Sequence, residues 1–352
     1  MVSIVAKKYD YVVGVDTHAK KHVFALINNI GELIGCGEFR VLARDFQQLL
    51  FHIKRKTEGA QVLFAIEGTS SYGETLTRFL MQGNEDVCEV KPPKAKARGS
   101  TGKSDRIDAE MAARGVLHLP MDKLIRPRRG NERKILRTSL SSRGLLVRQQ
   151  TMDKNALCAL VRTTDIGIDA RKALDNATIH MIATSRSRAL DAPHEAVVRA
   201  EAKRLAENIA DRNIMLRDNK RALRDSVNSV APGILSLCGV GPVCAAQILC
   251  AYSHKGRIHS AEAFAMLAGV APIPASSGNT NRHRLNKYGD RALNKALDVV
   301  ARNRMRVDAA TQIYVAKRTA DGLSSREIRR SLKRYIARSI FRYLETLNLG
   351  VD

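Results

Sequence analysis

The sequence predicts an α/β domain with a mixed central sheet, followed by a helical, coiled-coil-like region and a second α-helical domain. Three observations carry that reading. Short apolar runs alternate with helical periods through the first third of the chain. From residue 128 the pattern turns helical, charged and poor in strand signals. Past Pro232-Gly233, apolar and basic helical runs flank a Pro/Ser/Gly/Asn loop. These changes divide the chain at 1–127, 128–231 and 232–352.

Residues 10–42 read as three short strands, "YDYVVGVD", "HVFALIN" and "LIGCGEFRV". The connections are tight, which makes these strands antiparallel neighbours. "RDFQQLLFHIKRK" sets Phe46, Leu49, Leu50 and Ile53 on one helical face, and "AQVLFAIEG" reads as a buried strand ending at Glu67. A helix in "YGETLTRFLMQ", a strand around "DVCEV" and a helix opening near Asp105 complete the α/β pattern. In the middle region "EAVVRAEAKRLAENIADRNIMLRDNKRALRDSV" contains no Pro or Gly, and its apolar spacing fits a long coiled-coil or bundle helix. The third region opens on "ILSLCGVGPVCAAQILCAY", two apolar runs around Gly239-Val240-Gly241-Pro242. That is the pattern of a helix-hairpin-helix, whose glycine turn can offer N–H groups to a phosphate, and a plain helix–helix corner fits the same residues. A helix at "FAMLAG", the loop, a basic helix and the terminal basic helix "SSREIRRSLKRYIARSIFRYLETL" follow.

Charge identifies the kind of partner. The 352 residues carry 59 Lys+Arg against 35 Asp+Glu, a net charge of +24. The excess is concentrated at 91–106, 126–137, 282–306 and 326–342, as expected of a protein that neutralises phosphates and releases their counterions. Tryptophan is absent and aromatic residues make up 5%, so backbone and shape contacts are expected in preference to base stacking. No apolar run reaches membrane-spanning length and the N-terminus lacks a signal-peptide pattern, which places the protein in the cytoplasm with no membrane partner. The six cysteines stand singly with no CxxC pair, so they read as small core residues and indicate neither zinc nor disulfides.

The stretch "RGSTGKSDRIDAE" resembles a phosphate-binding loop until its flanks are read. Ala97 stands where the first glycine of such a loop belongs, and "EVKPPKAKARG" is no buried strand. What the stretch does contain is Asp105 and Asp108, three apart at a helix start, with both carboxylates on one face. Asp16 and Glu67 each end an apolar strand, at the sheet rim where α/β proteins commonly place their sites. Taken singly, each fits an ordinary turn residue. Four carboxylates converging from three segments repel one another unless a cation neutralises them. Oxygen donors suit Mg²⁺ or Mn²⁺, and two such ions clamp the attacking and leaving oxygens of a phosphodiester, which makes phosphoryl transfer on nucleic acid the natural chemistry. Lys103 and Arg106 flank the pair and are placed to steer a backbone phosphate, although a solvated role fits the lysine equally.

With "YVVGVDTHAKKHVFAL", "FAIEGTSSYGETL", "GKSDRIDAEMAA", "LCGVGPVCAAQIL" and "FAMLAGVAPIPASSGNTNRHRLNKYGDRALNKAL" in this order, nearly the whole chain resembles the DEDD transposases of the insertion sequence 110 type, bridge-RNA-guided DNA recombinases. The resemblance implies a RuvC-like (RNase H-like) N-terminal domain whose metal-binding tetrad is Asp16, Glu67, Asp105 and Asp108, all four present. It implies a C-terminal transposase domain with a nucleophilic serine at Ser277 of "PASSGN", with adjacent Ser276 left open as the alternative. Metal-activated attack by that serine on DNA, a phosphoserine intermediate, a structured non-coding guide RNA, DNA target and donor sites, and a homo-oligomer (dimer or tetramer) sharing sites between protomers come with it. So does a bacterial, nucleoid-associated setting. With no tetrad member missing, the copy reads as complete. The segment "NTNRHRLNKYGDR" departs from the glycine-containing stretch common in the family, which leaves its nucleic-acid contacts open. Two rival functions fit the residues: a RuvC-like nuclease or junction resolvase that uses water, and a non-catalytic RNA-binding scaffold.

Overall fold

The structure is a computed structural model that describes residues 3–91, 104–169, 171, 174–186, 188, 191–275, 283, 284, 286, 288–347 and 349. The chain forms two compact units: one runs to Arg129 and includes Ser253–His259, and the other comprises Gly130–Tyr252 and the residues from Ser260 onward.

The first unit opens with the short helix α1 (Val5–Lys8) and the strands β1 (Tyr11–Thr17), β2 (Lys21–Asn28) and β3 (Leu33–Arg40). Helix α2 (Ala43–Lys56), β4 (Val62–Glu67), α3 (Glu74–Gln82), β5 (Asp86–Val90) and α4 (Asp105–Leu117) follow. The five strands lie in the order β3-β2-β1-β4-β5. β1/β2 and β2/β3 pair antiparallel, β1/β4 and β4/β5 parallel, so the mixed sheet expected from the sequence is present. The central strands are apolar along their whole length because they are covered on both faces. Val13, Val15, Phe64 and Ile66 pack under Phe46, Leu49 and Ile53 of α2 and Leu76 and Leu80 of α3. On the opposite face Val12, Leu63 and Ala65 meet Val5 and the Ala113, Val116 and Leu117 side chains of α4. Each such buried Leu, Ile or Phe contributes about 1.5–3 kcal/mol relative to exposure.

Gly14 sets how near α4 comes to β1. A Cβ there would collide with the Ala109 carbonyl and lie 2.6 Å from Ala113 N, so the helix rests directly on the strand backbone.

In the second unit, α5 (Asn131–Thr163) and α7 (Pro193–Val230) form a long antiparallel pair, with α6 (Asn176–Ala183) packed at one end. The sequence marks α7 clearly. It does not mark α5 as one helix, because Gly144 and a polar run interrupt the apolar pattern, while the structure holds it through α7: Arg143 Nη1 donates to Leu216 O at 2.9 Å, Gln150 Nε2 to Asn213 Oδ1 at 2.7 Å, and Asn219 Nδ2 to Ser139 O at 3.0 Å. A small core of Leu157, Val161, Ile179, Ile182, Leu205 and Ile209 closes the α6 end.

The rest of this unit comprises α8 (Pro242–Tyr252), α9 (Ala261–Leu267), β6 (Ile273–Pro274), β7 (His283–Arg284), α10 (Arg291–Val307), α11 (Ala309–Ala320) and α12 (Ser325–Thr346). β6 and β7 pair antiparallel and bracket the Pro/Ser/Gly/Asn loop. One expectation changes: the first apolar run of the proposed helix-hairpin-helix, Ile234–Ser236, makes a single 3-10 turn. Gly233 at φ 93° breaks the chain after α7, and only a few residues separate it from the turn at Gly239. That turn packs on α10, where Arg304 Nε donates to Cys238 O at 2.8 Å and Asn303 Nδ2 to Gly239 O at 3.3 Å. The cysteines also divide differently from the expectation: Cys88, Cys244 and Cys250 are buried, but Cys238 is exposed in this turn and Cys36 and Cys158 are half-buried. No helix among the described residues is long and apolar enough to cross a membrane.

Gly14→Ala tests the α4 contact. Overpacking against backbone should lower the unfolding free energy by about 3 kcal/mol in a denaturant titration. A variant with the wild-type midpoint would show that α4 does not rest on β1.

Candidate metal centre at the sheet rim

Side chains alternate across a strand, so the face of β1 that carries Val12 and Gly14 toward α4 also carries Asp16. β4 runs parallel to β1 with Val15 opposite Ile66, and its α4-facing residues Leu63 and Ala65 are followed by Glu67. Both strand-end carboxylates are therefore placed on the face that α4 covers. The helix runs opposite to β1, so the contact of Ala113 and Ala109 with Gly14 brings its N-terminus to the end of the strand where Asp16 lies. Ser104 caps it, its Oγ accepting from Ile107 N–H at 3.3 Å, which leaves Asp105 and Asp108 in the first turn. The serine that completes the apparent phosphate-loop motif is thus a helix cap.

Asp16 and Asp105 converge on a residue the sequence reading passed over. His18 Nε2 lies 3.1 Å from Asp16 Oδ2 and 3.4 Å from Asp105 Oδ2. One ligand atom from each of the three residues falls within 4.8 Å of the others, a donor set that fits a divalent cation. The signal was available: His18 follows Asp16 by two, the strand period that returns a side chain to the same face. It was missed because β1 stops at Thr17 and a lone histidine beside a turn carries no pattern. His18 is held from behind, its backbone N–H donating to His22 Nδ1 at 3.2 Å. His22 is fully buried on the opposite face against Phe39 and Phe46, and burial pushes its pKa below the usual value; because Nδ1 accepts from His18, the neutral ring carries its proton on Nε2.

Asp108 is buried, and its charge reaches Asp16. Burial pushes the Asp16 carboxyl above its ordinary range, and the Asp105 and Asp108 charges push it the same way against the pull of His18. Glu67 is half-buried at the end of the neighbouring strand, outside the group formed by Asp16, His18 and Asp105. Its backbone is fixed to β1, the Thr17 Oγ1–H donating to Glu67 O at 2.9 Å. Lys21 and Arg106 line a cleft of about 380 Å³ that also reaches Asp105, so cations flank the acids on one side. Arg106 meets the sulfur of Cys36 there. Lys103, Ser276 and Ser277 lie outside the described residues.

Two families match the chain. A transposase family of the DEDD IS110 type matches residues 13–165, which include all of the sheet but the first two residues of β1, together with α4 and α5. The family described as Transposase IS116/IS110/IS902 matches residues 232–316, which include α8, α9, the β6–β7 pair and α10. No curated protein matches the chain.

The raised Asp16 pKa fixes the sign of a pH effect. The folded state holds a proton that the unfolded state releases, so this group favours folding below the ordinary aspartate pKa and loses that contribution as pH rises through the raised value. Asp16→Asn should therefore raise the melting temperature of the metal-free protein above that pH by a few degrees, and abolish the stabilisation that Mg²⁺ gives the wild type. Melting curves against pH, with and without Mg²⁺, check this. A variant less stable than wild type without metal, or still stabilised by it, contradicts the cluster.

Proposed function

Because the chain belongs to the insertion sequence 110 family of DEDD transposases and is a DNA-processing enzyme, we propose that it cuts and rejoins DNA strands at a metal site made by Asp16, Glu67, Asp105 and Asp108, with the Ser277 hydroxyl as the attacking group. The observation that carries the metal assignment is the meeting of Asp16 and Asp105 at His18, with Asp108 close enough to raise the Asp16 pKa. Carboxylates gathered at such cost suit a hard divalent ion, Mg²⁺ or in its place Mn²⁺. When bound, such an ion lowers the pKa of an attacking hydroxyl and offsets charge on the phosphoryl oxygens. The Ser277 hydroxyl gives up its proton to solvent as its oxygen bonds to phosphorus and the bond to the departing sugar oxygen breaks. That oxygen takes up a proton and leaves as a free hydroxyl, and attack by the hydroxyl of another strand reverses the step. Pro272 and Pro274 stiffen the approach to the serine loop, and a glycine at 278 has no side chain that would obstruct a phosphate.

The regions 1–127, 128–231 and 232–352 then serve as metal domain, assembly arm and serine domain. Assembly into a dimer or tetramer is supported by exposed apolar residues along the α5–α7 pair, among them Leu145, Met152, Ile214 and Met215. A structured non-coding RNA as the guide to target and donor DNA is supported by the +24 charge and by the lack of an evident base-reading motif in the sequence.

Ser277→Ala should abolish the covalent protein–DNA adduct while leaving nucleic-acid binding intact, and Ser276→Ala should retain it. Mixing Ser277→Ala with Asp105→Asn protein, each reduced about 100-fold or more alone, should restore part of the cleavage if protomers share sites. An adduct that survives Ser277→Ala overturns the nucleophile, and one mapped to Ser276 moves it by one residue. Full recombination after complete RNase digestion overturns the guide RNA.

A further inference from the structure

Helix α12 carries arginines at 326, 330, 334, 338 and 342, one every four residues, and all five are exposed. Residues four apart form one ridge along a helix, here about 24 Å long at 1.5 Å per residue. The other side of the helix is ordinary core, with Ile328, Leu332, Ile336, Ile340 and Leu344 buried. The basic residues on its flank toward α10 are paired: Arg329 Nε lies 3.3 Å and Lys333 Nζ 3.7 Å from Asp298 Oδ1, and Lys333 also donates to Asn294 Oδ1 at 3.1 Å. Among the described residues, none of the five ridge arginines makes an ion pair. The nearby acids exert charge effects only: Glu262, near Arg338 and Arg334, takes its main interactions from its own backbone and Ser260, and Glu327, near Arg330, is engaged in capping the helix through Ser324.

Like charges at i,i+4 destabilise a helix by about 0.2–0.5 kcal/mol per pair, so a row of this kind without ion pairs opposes the helix that displays it. A polyanion laid along the ridge removes the penalty. Over the length of the row, one strand of a duplex presents about seven phosphates at 3.4 Å rise each, and guanidinium groups suit them in geometry and charge. The row also borders a cleft of about 490 Å³ in which Arg330 and Arg334 of α12 face Arg284 of β7, one of the two strands that bracket the serine loop.

We propose that the arginine ridge of α12 binds the phosphate backbone of the DNA substrate and leads it to the β6–β7 pair. This rests on the chain being a DNA transposase and is independent of which serine attacks. It is tested by the salt dependence of DNA binding by the full-length protein, with a duplex oligonucleotide as probe. Each lost phosphate contact lowers the slope of log K against log salt by about 0.9, so R330Q/R334Q/R338Q should reduce it by about 2–3. R330K/R334K/R338K should keep the wild-type slope. K7Q/R55Q/K56Q, exposed positions of the first unit with the same change in net charge, should change it by less than about 1. Removing repulsive arginines should leave the melting temperature unchanged or higher. A glutamine triple with the wild-type slope, or one no different from the first-unit control, overturns the proposal. So does a slope that falls for a duplex RNA of the same length and not for DNA. The adduct assay on Ser277→Ala reads a different property, so either idea can fail alone.

Discussion

The approach of α4 to β1 is the constraint on which the site depends. Because residue 14 has no side chain, the α4 backbone at Ala109 and Ala113 lies directly on the strand. One helical turn before Ala109 stands Asp105, and two residues after Gly14 stands Asp16. Antiparallel travel of the two elements then carries both carboxylates to the same end of the sheet, where His18 Nε2 lies between them. A helix held about 2 Å farther off by a methyl group would open that gap by a similar distance, enough to lose a shared ligand site.

Electrostatics in this protein works in two opposite directions. In the first unit, acids are gathered and partly buried until one of them holds its proton more tightly than a free aspartate does. In the second, five exposed arginines are set out along α12, none of them in an ion pair among the described residues. Each arrangement is unfavourable alone and would be relieved by an ion of the opposite sign, on our proposals a metal in one unit and a phosphate backbone in the other. For a transposase these are the two things its chemistry needs: charge to neutralise at the reacting phosphorus, and a hold on the strand that bears it.

The parts legible in the sequence were those with a period. Strands β1, β2 and β4 showed as apolar runs, and Asp16 and Glu67 stood out as candidates because a carboxylate ends each of two such runs. The Asp105–Asp108 spacing marked the first turn of α4. His18 was not found, since its place depends on β1 keeping its alternation past Thr17, a matter of hydrogen bonding to His22 that no local pattern reports. Helix α5 was hidden for a related reason: few of its residues are buried, and its order comes from polar contacts with α7. The apolar run before Gly239 looked like a helix because composition does not register that Gly233 has already turned the chain. The serine loop rests on resemblance, and Ser276 and Ser277 lie beyond the residues the structure describes.

Anomalous diffraction from crystals equilibrated with Mn²⁺ tests the central claim, that α4 and the two strand ends make one metal site, most directly. The account predicts an anomalous peak within coordination distance of both the Asp16 and Asp105 carboxylates in the wild type. A Mn²⁺ peak elsewhere in the first unit, with the Asp16 and Asp105 carboxylates binding none, would contradict it.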